Sequence, residues 1–213
     1  MKAKSKILNR FTKMKVAALA VLAVAALAPT PALASNDIFE FNMVRNNAGA
    51  LQNALPNAHG RVKIESVGSV EIMDVIVSGL PPNTDFDFFV IQVPKAPFGL
   101  TWYQGDIETN SQGVGHEIFI GRFSIETFIV APGTAPAPLV FNSPPFPDAS
   151  TNPATNPIQL YHLGLWFNRP ADAVRAGALG TVTPFNGEHH AGVQVLNTSN
   201  FPDNFGPLRH VNP

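Results

Sequence analysis

Any chemistry in this chain has to come from histidines, carboxylates and a handful of polar aromatics, because it contains no cysteine. That absence excludes a thiolate metal site, a cysteine nucleophile, a disulfide framework and a lipidated-cysteine anchor. Six histidines are present, and the densest group is Glu188-His189-His190. On a strand, neighbouring side chains point to opposite faces, so His189 and His190 share one ion only if they lie in a loop. His162 belongs to a run whose alternate residues are Ile158, Leu160, Gly164 and Trp166. An imidazole on such an apolar face needs a partner to offset its desolvation. Convergence of His162 with His189 or His190, and with Glu188 or His116, would make a site for zinc or copper. Otherwise His162 hydrogen-bonds within the core, and His189 and His190 occupy a solvated turn. His59 and His210, alone in loop and tail segments, read as solvated.

Asp106 and Glu108 stand two apart on a predicted strand and therefore face one side, the minimum geometry for calcium or for an acid and base pair. Trp102 and Tyr103, just before them, are the aromatics available for stacking on a sugar; the alternative is that they pack in a core or hairpin. No Gly-x-Ser-x-Gly elbow, P-loop, dinucleotide fingerprint or His-Glu-x-x-His motif occurs, so no cofactor and no catalytic residue is assigned. Of the 16 Phe, fifteen follow residue 34, against two Tyr and two Trp in the chain. Binding faces favour Tyr and Trp, which keep a polar handle, so this aromatic content is that of a core.

The elements that must position these residues begin after a leader. Lys2, Lys4, Lys6, Arg10, Lys13 and Lys15 precede thirteen apolar residues, Val16 to Ala28, and then Ala32-Leu33-Ala34. This is the layout of a secretory signal peptide over residues 1–34, cleaved between Ala34 and Ser35. The apolar run is shorter than the about 20 residues a membrane span requires, so no transmembrane anchor is expected. A start at Met14 would leave a shorter leader with the same exit. Removing residues 1–34 leaves eight Lys and Arg against fifteen Asp and Glu, a net charge of −7. Such a surface does not suit nucleic acid, whose binding depends on clustered cations.

Beyond the leader the pattern is of short strands and turns. Ile38 to Val44, Arg61 to Ser66, Ser69 to Ser78, Phe86 to Val93, Glu126 to Val130, Ile158 to Phe167 and Ala191 to Asn197 read as strands. Ser69 to Ser78 and Phe86 to Val93 carry apolar residues on both faces. Asp106 to Ile120 is a hairpin through Asn110-Ser111-Gln112-Gly113, residue types that tolerate positive φ. One short helix is expected within Ala48 to Ala54 and one or two turns within Pro170 to Ala178. Ala131 to Pro157 holds eight prolines in 27 residues, which excludes a central strand or helix interior and predicts an extended loop. The expected architecture is all-β: one antiparallel immunoglobulin-like β-sandwich over 35–213, or a jelly-roll-like sandwich. Its C-terminal strands, 158–213, pack on the same core across the Pro-rich loop 131–157.

Val75-Ile76-Val77-Ser78-Gly79-Leu80-Pro81-Pro82-Asn83-Thr84-Asp85-Phe86-Asp87-Phe88-Phe89-Val90 resembles the strand, turn and strand of fibronectin type III and related immunoglobulin-like domains. Phe86 stands where those families place a corner tyrosine. The hairpin from Asp106 to Ile120 is similar to those of secreted bacterial β-sandwich modules. The resemblance implies architecture and carries no activity. Three functions fit: a secreted, non-catalytic binding, envelope or matrix module for an extracellular macromolecule or saccharide; a secreted metal-binding protein or metalloenzyme; and a carbohydrate-binding module.

Overall fold

The computed structural model describes residues 37–132, 155–183 and 190–213. The leader with its cleavage site, residues 133–154 of the Pro-rich stretch, Glu188 and His189 lie outside the described residues. The described residues are antiparallel and all-β, with ten strands and little helix. The strands are β1 (Ile38–Arg45), β2 (His59–Val67), β3 (Val70–Ser78), β4 (Asp85–Ile91) and β5 (Thr101–Glu108). They continue with β6 (Gly115–Gly121), β7 (Phe128–Pro132), β8 (Thr155–Gln159), β9 (His162–Phe167) and β10 (Gln194–Asn197). Among the described residues one α-helix, α1, spans Pro170–Arg175, with Pro170 at its first position, where the missing N–H is no loss. The helix expected within Ala48 to Ala54 is reduced to a 3₁₀ turn, Gly49–Leu51. Pro56 and the positive φ of Gln52 and Leu55 halt it. Arg45 holds that loop by donating to the carbonyls of Gln52, Ala54 and Leu55.

Eight strands form one continuous sheet in the order β5-β4-β9-β10-β1-β2-β3-β6. The two edge strands, β5 and β6, are consecutive in the chain, and their hairpin closes with a bridge between Thr109 and Gly115. The sheet must therefore roll until its ends meet. Its inner faces then pack on each other as in a sandwich: Phe88 of β4 and Phe119 of β6 stack with centroids 5.2 Å apart. Alternation decides the inner set. Met43, Val62, Ile64, Met73, Val75, Val77, Phe86, Leu163, Leu165 and Leu196 are fully buried in one cluster, joined by Leu208 and Val211 of the tail. At about 25 cal/mol per Å² of apolar surface, this burial is what a cysteine-free chain has for stability.

The strands differ from the sequence reading in burial and extent. Ile76 on β3 is exposed, so β3 is apolar on both faces yet buried on one; its outer neighbours Arg61 and His116 keep that side wet. The run Ile158 to Phe167 splits. Leu160 donates its N–H to Thr127 and the Tyr161 carbonyl accepts from Leu208, so β8 pairs with β7 in a separate two-stranded ribbon while β9 enters the main sheet. Strands β7 and β8 extend into the Pro-rich stretch as far as Pro132 and back from Thr155, a ribbon setting in which proline's missing donor is tolerated. Among the described residues no helix is long and apolar enough to cross a membrane.

Candidate functional site

The seam where the rolled sheet meets itself is closed at one end and open at the other. At the closed end Asn110 Oδ1 accepts from the N–H groups of Gln112 and Val114, and Gly113 adopts φ +72°. Thr109 is buried: its hydroxyl donates to the Pro81 carbonyl at 2.6 Å and accepts from Thr84 N–H at 2.9 Å. The hairpin is thus clasped to the Gly79–Thr84 turn that carries β3 across to β4. Towards Thr101 on β5 and Gly121 on β6, no ladder joins the two edges. A bulge inserts Gln104 between the partners of Phe88 and Phe89. Gly105 there has φ +150°, and a Cβ on it would lie 2.9 Å from the Phe119 ring. That ring is the wedge at which the strands part.

Beyond the wedge lies a cleft of about 920 Å³. Val90, Phe123 and Leu160, all buried, form its floor; Trp102 and Gln104 stand on one wall; Ile120, on the outer face of β6, borders its mouth; Phe128 and Ile129 close it from β7. Three of these apolar side chains are exposed to an unusual degree: Trp102 by 58%, Ile120 by 67% and Phe128 by 50%. Contiguous exposed apolar surface of this kind marks interaction sites. At the rim Arg122 lies 3.6 Å from Glu71 and 3.7 Å from Glu126. Glu71 is fully buried and also accepts from Phe123 N–H at 2.7 Å, which fixes the turn forming the floor.

The residues singled out from sequence are dispersed around the sheet. Trp102 and Tyr103 are both exposed but on opposite sides of β5. Trp102, opposite Val90, enters the cleft, whereas Tyr103, opposite Phe89, packs on the Phe89 ring at 5.5 Å outside it. They cannot form one stacking platform. Tyr103 donates its hydroxyl to Asp106 at 2.6 Å; burial, then that carboxylate, push the phenol above its ordinary range. Asp106 and Glu108 share the outer face, opposite Asp87 and Asp85 of β4. Asn168 donates to Asp85 at 2.7 Å.

His162 is fully buried, with Nε2 between the carbonyls of Pro202 (3.2 Å) and Asp203 (3.1 Å) and Nδ1 2.9 Å from the Thr198 hydroxyl. Two carbonyls require Nε2 to be the donor, so Nδ1 accepts from Thr198 and neither nitrogen is available to an ion. His116, on the outer face of β6, lies 2.8 Å from Asp74. His190 is exposed beside the bridge of Thr183 to Ala191. Among the described residues, no three His, Asp or Glu side chains are grouped to hold a metal ion.

Burial depresses the His162 pKa below its ordinary 6.5, against the opposing pull of the Asp203 and Pro202 carbonyls and the Asp203 charge. The folded state then binds fewer protons than the unfolded chain, and stability is complete above pH 6.5 and falls as the pH drops below it. Thermal melts from pH 7.5 to 5 should show the melting temperature decreasing on acidification, with the decrease reduced in His162→Gln. Equal slopes in the two proteins would refute the assignment.

The walls of the cleft were not legible as a site. One local signal existed: on β6, His116, Ile118 and Ile120 are all exposed, so two isoleucines face outward on an edge strand, where charge is the usual protection. No family model matches this chain, and neither do the curated proteins or the solved structures.

Proposed function

We propose that this chain is an exported, non-catalytic binding module whose ligand occupies the cleft at the seam of the rolled sheet. The observation that carries the reading is the exposure of Trp102, Ile120 and Phe128 around a buried floor of Val90, Phe123 and Leu160. These three side chains are half to two-thirds exposed, which forgoes roughly half of the about 1.5–3 kcal/mol that complete burial of such a side chain supplies, and a ligand recovers it. Among the described residues that line the cleft no nucleophile is paired with a base, and Glu71 and Glu126 are both held against Arg122, which supports binding rather than turnover. Export is supported by the basic, apolar and small-residue order of Met1 to Ala34. The immunoglobulin-like reading is supported by the passage from β3 through the Gly79–Thr84 turn into β4.

Nile red, an uncharged dye that brightens in apolar surroundings, tests the site directly. It should bind the purified mature protein at one site, with binding reduced at least tenfold in Ile120→Glu and unchanged in Ile76→Glu, which is exposed on β3 but does not line the cleft. Equal binding by both variants would overturn the proposal. Fractionation of producing cells should place the protein outside the cytosol with Ser35 as its first residue; retention of the leader in the cytosol would remove the export part.

A further inference from the structure

The cleft does not end at its own rim. Ile125 and Gln159 line it and also line a second hollow of about 700 Å³, which continues over Gln92, Tyr161, Asn204 and Arg209. The two halves differ in chemistry. The first is floored by aliphatic and aromatic carbon, while the second is bordered by amides, a phenol and a guanidinium. Two arginines border the combined groove, and they are not equivalent. Arg122 is flanked by Glu71 and Glu126. Arg209 lies over the Phe205 ring at 4.4 Å and donates to the Asn204 carbonyl at 3.4 Å, and among the described residues no carboxylate pairs with it.

We infer that the cleft and the adjoining hollow are one site for a free single-chain anionic amphiphile. Its alkyl chain lies over Val90, Phe123 and Leu160 between Trp102 and Ile120, and its anionic head meets Arg209. This rests on the cleft being a binding site and adds the class of ligand. The guanidinium supplies a donor fork that matches a carboxylate head. Asp203 borders the same hollow and weakens the local field, so a short anion without a chain gains too little to bind; the apolar half supplies the remainder. Addition of a polypeptide strand at the seam is the less suitable occupant. The Ile118 N–H at the free edge of β6 already donates to Glu117 Oε1 at 3.1 Å, and a capped edge of this kind resists strand pairing.

Decanoate, decanol and acetate, each below any micelle concentration, distinguish the possibilities when titrated against tryptophan fluorescence. Trp102 is the exposed indole and Trp166 the buried one, so the signal should vanish in Trp102→Phe. Decanoate should bind about tenfold more tightly than decanol, the size of one charge-assisted contact, and acetate should give no response. Arg209→Gln should remove the preference for decanoate and leave decanol unchanged; Ile120→Glu should weaken both. Equal affinities in the wild type, or an unaltered preference in Arg209→Gln, would overturn the inference. So would sedimentation as a dimer with Trp102 shielded from acrylamide, which would make a second copy the occupant. Nile red binding that is sensitive to Ile120→Glu, with no response to decanoate, would remove the amphiphile and leave the binding cleft standing. Loss of both would remove both.

Discussion

Replacing Phe88 with alanine should lower the unfolding free energy by about 3–5 kcal/mol, the range for deleting a buried aromatic ring. Phe88 is fully buried, and its ring is nearly parallel to that of Phe119, 8° apart in plane. The two strands that contribute these rings belong to opposite ends of the sheet order, β4 beside one edge and β6 at the other. The stack is therefore a contact that exists only because the sheet has rolled. Its removal leaves a cavity under Gly105 and frees the Phe119 ring from one of its two supports. Urea titration followed by circular dichroism gives the magnitude. Ile76→Thr on the exposed outer face of β3 is the control and should change stability by less than about 0.5 kcal/mol. A loss for Phe88→Ala below about 1.5 kcal/mol would show that the inner faces do not pack across the interior as described.

Gly113→Ala should destabilise by about 3 kcal/mol or more, an unusual result for a surface hairpin. Two effects combine. The φ of +72° is left-handed backbone, worth about 1–2 kcal/mol for a residue with a side chain. In addition, an added Cβ would stand 2.0 Å from the Leu80 carbonyl oxygen, so the hairpin would have to lift away from the Gly79–Thr84 turn. Lifting also strains the bonds from Leu80 N–H to the Gly113 carbonyl at 3.3 Å and from Asn83 N–H to the Asn110 carbonyl at 3.2 Å. Gly68 offers the matched control, with φ +62° and nothing within 4 Å of its Cβ position. Gly68→Ala should show the conformational part alone, about 1 kcal/mol. The difference between the two measures how firmly the closed end of the seam is clasped, and hydrogen exchange at Thr84 and Thr109 should accelerate only in the Gly113 variant. Identical losses in the two variants would mean that the clasp contributes nothing.

Both effects depend on the same structural fact, that a hairpin joins the two ends of an eight-stranded sheet. The hairpin itself is legible in the sequence, because Asn110 and Gly113 are residue types suited to reversal and the flanking runs are β-branched and aromatic. Its place in the sheet is not. Nothing local distinguishes β5 and β6 as a pair along their whole length from β5 and β6 as edges that touch at one bridge. What separates them is the Gln104 bulge and the Phe119 ring under Gly105, and both depend on β4, which pairs with β5 on its other side. The cleft follows from that separation, so Trp102 could be recognised as a candidate while Ile120, Phe123, Phe128 and Leu160 could not be grouped with it. The same limit applies to His162. Its apolar strand signalled a need for partners, but Thr198, Pro202 and Asp203 lie 36 to 41 positions later.

The seam shows where the division falls. Turn chemistry and the two-residue alternation are local properties, carried by neighbouring side chains, and by themselves they determined the all-β class, most strands, the hairpin and the Phe-rich interior. The order in which strands pair depends on contacts between distant segments, whose free energies no single segment carries. Tertiary structure alone therefore decided that β9 lies beside β4, that Leu160 and Tyr161 interrupt what reads as one continuous strand, and that Trp102 and Tyr103 lie on β5 and so face opposite ways. It also decided that two edges part around Phe119 to leave an apolar cleft open to solvent.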